Sequence, residues 1–309
     1  MTRQSDARVV AIISAFHPPE DLPARVQVLN QQVLHTVVVD DGSDADGISP
    51  VLQRLEAIGC TVVRMPGNAG IAAALNKGLN VALESLSPDF VLTLDQDSAL
   101  DAGYVDAALD TYAQAKAKGI KAGIISAKSH NGLDVPLLTR KTEFPEAFDP
   151  MQSGALIPVS TLKTVGMLDE RLFIDYVDSE FNLRVRSHGL ATLVGRGCNM
   201  THALGQAQPM ILFGWHVTVL GVKRHLHSHA PFRVYYMTRN GIYLWRQYGA
   251  RYPGWLVRRL LFQLQSDVLR LLFGTNRRGQ LHALARGAWD GWLGRLGKID
   301  PTLQNRIGT

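Results

Sequence analysis

Apolar runs rich in valine and isoleucine alternate with helical patterns through the first 130 residues. The runs are short and bounded by turn residues, which predicts strands at residues 8–16, 35–41, 60–65, 89–95 and 121–127. The segments between them have the apolar spacing of helices, at residues 23–32, 49–58, 71–84 and 102–118. Strands that alternate with helices predict an α/β fold with a doubly wound, mostly parallel sheet. Ligands of such sheets bind at the carboxyl ends of the strands, where the strand order switches.

Polar motifs follow three of these predicted strands. The second strand leads into DDGS at 40–43, the third into PGNAG at 66–70, and the fourth into DQDS at 95–98. Each motif alone is common in turns or at the starts of helices. Together, at the ends of neighbouring strands, they predict one crevice in which a helix N-terminus offers free N–H groups to a diphosphate. Two carboxylates one residue apart can also hold a divalent cation, so the motifs indicate a metal-assisted nucleotide site.

The order and spacing of VVVDDGS, NAGIAAALNKGL and LDQDS resemble the family 2 glycosyltransferases, whose nucleotide-binding domain has the GT-A fold. The segment at 152–189, with its Ser-Gly pair and the phrase FIDYVDSEF, is similar to the rhamnosyltransferase branch of that family. HALG and HAPFRVYYMTRN, further along, resemble the same branch, so the similarity covers about residues 8–245. Gln152 and Asn182 depart from the branch pattern, which has Thr and Cys there. These departures bear on the rhamnose assignment more than on glycosyl transfer.

The resemblance implies a role for each polar strand end. Asp41, or else its neighbour Asp40, would contact the nucleobase or ribose of the donor. Asp95 would contact the ribose, and Asp97 would ligate Mg²⁺ or Mn²⁺ on the donor diphosphate. His202 is a further candidate for that metal. The residues alone leave open that Asp97 is a surface carboxylate that caps the following helix. The other residues implied in donor binding are Asn68, Gly70, Asn76 and Gly154.

The sequence IDYVDSEFNLRVRSHG places Asp178 just before a helix predicted at about residues 179–188. The resemblance implies that Asp178 is the general base, which takes a proton from the acceptor hydroxyl as that oxygen attacks the anomeric carbon. One such displacement inverts the anomeric configuration. The alternative is that Asp178 only caps the helix, which contributes about 1 kcal/mol of stability. Asp175 and Glu180 are nearby competitors, and Glu180 is also a candidate partner of the base.

Composition limits the classes of protein to consider. The 309 residues are 46% hydrophobic and 19% charged, which predicts a globular chain with a substantial core and excludes a disordered one. Two cysteines are too few for a disulfide framework and indicate a reduced, cytosolic chain. No run of about 18 apolar residues is present, so we expect no membrane span. The apolar run near the N-terminus is interpreted as a strand rather than a signal peptide.

The net charge of +5 is unevenly distributed along the chain. Residues 1–200 carry 17 Lys/Arg and 24 Asp/Glu, a net −7, whereas residues 201–309 carry 15 and 3, a net +12. All five tryptophans lie in the second part. The resemblance implies a GT-A nucleotide-sugar-binding and catalytic domain, placed over residues 1–230, and the charge asymmetry leads us to expect a basic, Trp-rich helical C-terminal region over residues 231–309. That region is interpreted as a contact with anionic membrane headgroups or with another subunit of a homo-oligomer. The alternative is a set of amphipathic helices packed against the body.

Taken as a whole, the sequence predicts an inverting, metal-dependent glycosyltransferase that uses dTDP-L-rhamnose. The resemblance implies an acceptor hydroxyl on a bacterial surface glycan, as an O-antigen, another polysaccharide or a lipid-linked glycan at the inner face of the cytoplasmic membrane. Nucleic acid is not expected as a partner, because no motif for binding it is present. Two alternatives stand beside this hypothesis: a transferase with a UDP-hexose donor, and a nucleotide-sugar-binding protein without turnover.

Overall fold

The computed structural model describes residues 6–43, 50–139, 142–202, 207–212, 215–219, 222–223, 225–227, 229–273 and 276–308. The chain forms two compact units. The first contains Met1–Phe173 and Val177–Ala203, and the second contains Ile174–Tyr176 and Leu204–Thr309. The division of the chain by function at residue 230 stays a prediction.

The strands of the first unit form a seven-stranded sheet and a four-stranded sheet. In chain order they are β1 (Val9–Ala15), β2 (His35–Asp40), β3 (Thr61–Arg64), β4 (Phe90–Asp95), β5 (Ser98–Leu100), β6 (Ala122–Ser126), β7 (Ser129–His130), β8 (Leu133–Asp134), β9 (Ala155–Pro158), β10 (Ala191–Val194) and β11 (Asn199–His202). The larger sheet has the order β10-β6-β9-β4-β1-β2-β3, and the smaller has the order β5-β11-β7-β8. In the larger sheet only β9 runs antiparallel to its neighbours. The expected α/β fold with a doubly wound, mostly parallel sheet is confirmed.

Six helices and one 3₁₀ helix connect these strands. The helices are α1 (Leu22–Leu29), α2 (Pro50–Ala57), α3 (Ile71–Ser85), α4 (Tyr104–Ala117), α5 (Val159–Val165) and α6 (Val177–Ser187), and the 3₁₀ helix is Glu170–Leu172. The four helices predicted between the first five strands are confirmed, although the first residue predicted for α2, Ser49, lies outside the described residues. Their apolar spacing identified them because each buries one face against the sheet.

The strand order switches at β1. From β1 the chain runs outward to β2 and β3, and it then returns to place β4 on the other side of β1. Asp40 at the end of β2 lies opposite Ala15, and Asp95 at the end of β4 lies opposite Ser14. The two acidic strand ends therefore meet beside neighbouring residues of β1, at the edge where ligands of such sheets bind.

The core of the first unit lies between the larger sheet and its helices. All seven residues of β1 are buried, as expected for a central parallel strand covered on both faces. Ile12, Leu75 and Leu92 are among its fully buried side chains. Cys60 and Cys198 are buried free thiols, and burial raises the pKa of Cys198 to about 12.

The second unit is mainly helical, as the sequence predicts for the C-terminal region. Its elements are β12 (Ala207–Pro209), β13 (Ile211–Leu212), β14 (Trp215–His216), β15 (Thr218–Val219), β16 (Val222–Lys223), β17 (His225–His227), α7 (Pro231–Tyr248), α8 (Pro253–Phe273), α9 (Arg277–Leu293) and α10 (Pro301–Ile307). The short strands pair in three two-stranded ladders. Within the described parts of the chain, we find no helix with the length and apolar character needed to cross a bilayer.

Candidate functional site

The acidic motif at 95–98 forms a turn between two sheets. Asp95 is the last residue of β4, and Ser98 is the first residue of β5. Strand β5 pairs antiparallel with β11, and this register sets Ser98 opposite His202. The pairing therefore places the imidazole of His202, which is distant in sequence, beside the carboxylates of Asp95 and Asp97. The alternative that Asp97 caps the following helix is wrong, because a strand intervenes and α4 begins only at Tyr104.

Asp95, Asp97 and His202 converge in a geometry suited to a cation. One ligand atom from each residue lies within 4.8 Å of the others. The Nδ1 atom of His202 lies 3.2 Å from Oδ1 of Asp97, and both side chains are partly exposed. That Oδ1 atom is itself buried and accepts no hydrogen bond from the described residues. Carboxylate oxygens and an imidazole nitrogen suit Mn²⁺, and the carboxylates alone suit Mg²⁺, so the residues present fit the expected divalent metal.

Two serine hydroxyls support this group from behind. The backbone N–H of Asp95 donates to Oγ of Ser153 at 3.0 Å, and the hydroxyls of Ser153 and Ser98 are 2.7 Å apart. Oγ of Ser98 lies 3.0 Å from Nδ1 of His202. The hydroxyl pair thus links the backbone of one proposed ligand to the ring of another, and such supporting contacts fix ligand orientation. The sequence analysis did not assign a role to either serine, because the β5–β11 register brings Ser98 to His202 and the turn before β9 brings Ser153 to Ser98.

Asn131 holds the backbone of His202. Its side-chain amide donates to the His202 carbonyl at 2.7 Å, and its carbonyl oxygen accepts from the His202 N–H at 3.1 Å. Nearby, burial lowers the pKa of His130, and the charge of His202 lowers it further. We therefore expect His130 to be neutral at pH 7, which adds no positive charge beside the proposed metal ligands. Sequence analysis missed Asn131 as well.

A turn before β9 lies against the end of β4. Gln152 Nε2 donates to Oδ1 of Asp95 at 2.5 Å, and the N–H of Gly154 donates to the Thr93 carbonyl at 2.8 Å. Gly154 has φ +82, and a Cβ there would lie only 2.6 Å from the Tyr104 hydroxyl. Only glycine fits this buried position, so Gly154 allows the turn to close. Its burial does not support the expected direct contact of Gly154 with the donor. Gln152, by contrast, is bonded to a proposed ligand.

The motif at 40–43 is held by internal hydrogen bonds. Asp41 accepts from the N–H groups of Ala69 at 2.7 Å and Gly70 at 2.8 Å. Asp40 accepts from the N–H and the hydroxyl of Ser43. Both aspartates are 5% exposed. Asp41 therefore fixes the loop before α3, and contact of either aspartate with the donor stays a prediction, as does that of Asn68 in the same loop.

The start of α3 differs from the expectation of free N–H groups. Asp41 occupies the N–H groups of Ala69 and Gly70, and the N–H of Ile71 donates to the Phe173 carbonyl at 2.9 Å. The prediction that this helix start offers these groups to a diphosphate is wrong for all three, because the Asp41 carboxylate accepts from two of them and the Phe173 carbonyl accepts from the third. A Cβ on Gly70, at φ +97, would lie 2.4 Å from the Phe173 carbonyl oxygen, so glycine permits this close approach.

Asn76 of α3 holds a segment distant in sequence. Its amide nitrogen donates to the Leu168 carbonyl at 2.9 Å and to Glu170 at 2.8 Å, and its oxygen accepts from the Leu168 N–H at 3.0 Å. The side chain is buried and both amide protons are used. These bonds do not support the expected direct contact of Asn76 with the donor.

Asn76→Ala is expected to lower the free energy of unfolding by about 1–3 kcal/mol, because it leaves the buried N–H and carbonyl of Leu168 without their partner. Thermal or urea denaturation followed by circular dichroism measures this. Asn80→Ala, at an exposed position of the same helix, is the control and should change stability by less than about 0.5 kcal/mol. Equal stability of the two variants would contradict the structural role.

Asp178 lies in the first turn of α6, which begins at Val177. The alternative that it is the N-cap is therefore wrong. Its carboxylate accepts from the N–H of Ser179 at 2.8 Å, and it lines a small cavity of about 20 Å³ together with Gln152. Through Gln152, this cavity adjoins the residue that bonds to Asp95.

The two competing carboxylates are each bound by an arginine. Glu180 is buried and pairs with Arg184 at 2.8 Å. Asp175, in the second unit, accepts from Arg233 at 3.1 and 3.2 Å. Each of these two carboxylates therefore has an arginine as a direct partner. The choice of Asp178 over these two carboxylates as the general base stays a prediction.

Comparisons with known proteins identify the family and the fold of the chain. A family model described as glycosyl transferase family 2 matches residues 10–165. A dTDP-rhamnosyl transferase, RfbF of Shigella flexneri, is 28% identical over 255 residues, which is 78% of this chain and 81% of the relative. The crystal structure of GalNAc-T7 with UDP, GalNAc and Mn²⁺ matches 78% of this chain and 49% of its own, at 14% identity and a TM-score of 0.55. That of S. aureus TarS 1-349 matches 93% and 72%, at 15% identity and a TM-score of 0.47. The GalNAc-T7 match shows a shared fold, and the expected GT-A architecture is confirmed.

Proposed function

The chain belongs to glycosyl transferase family 2, and from this premise we propose that it transfers L-rhamnose from dTDP-L-rhamnose to a hydroxyl of a bacterial surface glycan. Glycosyl transfer follows from the family. The choice of rhamnose is supported by the Shigella flexneri relative, which aligns over most of both chains. For the acceptor, we propose a polysaccharide or a lipid-linked glycan.

The convergence of Asp95, Asp97 and His202 is the observation that carries this proposal. It lies at the carboxyl end of β4, beside the switch point at which ligands of such sheets bind. A divalent cation held there would offset the negative charge that develops on the diphosphate as the glycosidic bond breaks. The serine pair behind the ligands keeps their geometry fixed between turnovers.

Asp178 supplies the base in this proposal. The acceptor oxygen forms a bond to the anomeric carbon while the bond from that carbon to the diphosphate oxygen breaks. The acceptor proton passes to the carboxylate of Asp178, and the nucleoside diphosphate leaves with the electron pair of the broken bond. A single displacement of this kind inverts the anomeric configuration and requires one base.

A panel of donors tests the assignment of the sugar. The purified chain is incubated with dTDP-L-rhamnose, UDP-glucose, UDP-galactose or GDP-mannose, with Mn²⁺ or with a chelator, and release of the nucleoside diphosphate is measured beside thermal stabilisation. We expect the largest release and stabilisation with dTDP-L-rhamnose and Mn²⁺, and little with the chelator. A preference for a UDP-hexose would show that the donor is not dTDP-L-rhamnose. Thermal stabilisation without release of the nucleoside diphosphate from any donor would favour a binding protein without turnover.

A further inference from the structure

Helix α8 of the second unit presents an apolar face to the outside. Seven large apolar residues of α8 are exposed, and the spacing of six of them places those six on one side, whereas Phe262 lies off it. Each is at least 39% exposed. We call this set the outer face: Val257, Leu260, Leu261, Leu264, Val268 and Leu272.

The opposite side of α8 is buried, and it carries polar side chains as well as Trp255. Gln263 and Arg270 are only 6% and 4% exposed. Both donate to the carboxylate of Asp267, at 3.0 and 2.7 Å. A helix that packs on a globular body normally buries its apolar side and exposes its polar side. Within the second unit, α8 therefore leaves most of its apolar side exposed, and the alternative that it packs against the body stays untested.

Charge at both ends of the outer face is positive. Arg258 is exposed beside Val257 at one end. At the other end, Arg277 donates to the Leu272 carbonyl at 2.7 Å, and Arg278 follows it, also exposed.

The carboxylates of α8 and α9 do not offset this charge. Asp267 is paired with Arg270 at 2.7 Å, and Asp290 is paired with Arg286 at 2.9 Å. Both carboxylate side chains are at most 15% exposed. The exposed charges of these two helices are therefore all positive in the described residues.

We propose that the outer face of α8 docks on an anionic lipid bilayer and lies in the plane of its headgroups. A helix with an apolar stripe flanked by arginines binds such a surface by burying the stripe and by attraction to anionic headgroups. A second copy of this chain fits less well, because two outer faces would bring positive ends together without an exposed carboxylate of α8 or α9 between them. This inference does not depend on the proposed reaction, since it concerns attachment only.

Sedimentation of the full chain with vesicles tests the proposal. One set of vesicles is phosphatidylcholine alone, and the other also contains phosphatidylglycerol. We expect binding to the anionic set only, with release by added salt because salt screens the headgroup charge. The double variant Arg258→Gln with Arg278→Gln should bind about 30-fold more weakly, since each basic residue near such a surface contributes about five-fold. Leu261→Ser with Leu264→Ser should weaken binding at least about tenfold.

Matched variants in the first unit control for net charge and for loss of exposed apolar area. Lys116→Gln with Lys121→Gln removes the same charge, and Leu133→Ser removes a leucine that is 76% exposed. Both should bind as the parent chain does, and circular dichroism checks that every variant is folded. The proposal would be overturned if the chain did not bind vesicles, or if it bound the neutral and the anionic vesicles equally well. It would also be overturned if Lys116→Gln with Lys121→Gln weakened binding as much as the arginine variant does. A lipid-free multimer, seen by light scattering, that Leu261→Ser with Leu264→Ser dissociates would overturn the proposal as well.

Discussion

Asp97→Asn is expected to lower sugar transfer by about 10³-fold or more, close to abolition. The neutral amide oxygen is a poor ligand for a hard dication, and the charge on the departing diphosphate then loses its main stabilisation. Asp97 is well placed for this effect because its buried Oδ1 atom accepts no hydrogen bond from the described residues and lies 3.2 Å from His202. Steady-state transfer is measured over a range of Mn²⁺ concentrations, together with Mn²⁺-dependent thermal stabilisation.

Asp101→Asn is the control for this experiment. Asp101 is exposed and follows β5, a few residues from the proposed ligand, so it tests the loss of one negative charge near the site. We expect its activity and metal dependence to match those of the parent chain. Full metal-dependent activity in Asp97→Asn would show that this carboxylate is not a ligand.

Asp178→Asn is expected to reduce turnover by about 10²-fold or more while the affinity for the donor changes little. Loss of a positioned base removes proton transfer from the transition state, and the usual cost is about 10²–10⁴-fold. The donor contacts proposed at the ends of β2 and β4 remain in this variant. Donor affinity is measured by calorimetry in the presence of Mn²⁺, and turnover is measured with a saturating acceptor.

The variant Glu180→Gln is the control that tells a catalytic role of Asp178 from a structural one. Glu180 lies on the same helix and pairs with Arg184, so its change should lower the thermal midpoint and largely spare turnover. If Asp178→Asn instead loses donor affinity and turnover in equal measure, Asp178 shapes the site and is not the base.

The fold could be predicted from the sequence because its signals are local. Short Val- and Ile-rich runs between helical patterns fix the type of element, and their alternation fixes a parallel sheet. The carboxyl end of a parallel strand then predicts where chemistry lies, which is how Asp95 and Asp97 were found. Neither step needs knowledge of long-range contacts.

The remaining features of the site depend on contacts that the sequence does not display. The place of Ser98 beside His202 follows from the β5–β11 register, and that of Ser153 follows from the turn before β9, and no local pattern reveals either. The bonds of Asp41 and Asn76 to backbone groups likewise appear only once the loops are folded. Apolar periodicity in α8 predicted a helix with one apolar side, but it could not tell whether that side faces inward or outward.

The proposed ligands Asp97 and His202 lie far apart along the chain, with Ser98 next to Asp97, and this separation affects the order in which the site forms during synthesis. Ser98 and its partner His202 are 104 positions apart, and His202 is the last residue of β11. During synthesis, domains fold from the N-terminus onward, so β1–β4 can pair before the imidazole has left the ribosome. A nascent or truncated chain that stops at residue 165, where the family match ends, would keep both aspartates and lack the histidine. If these residues hold a cation as proposed, its affinity would arise only as the first unit is completed, so the ion would stabilise the finished unit and would not guide the pairing of the early strands.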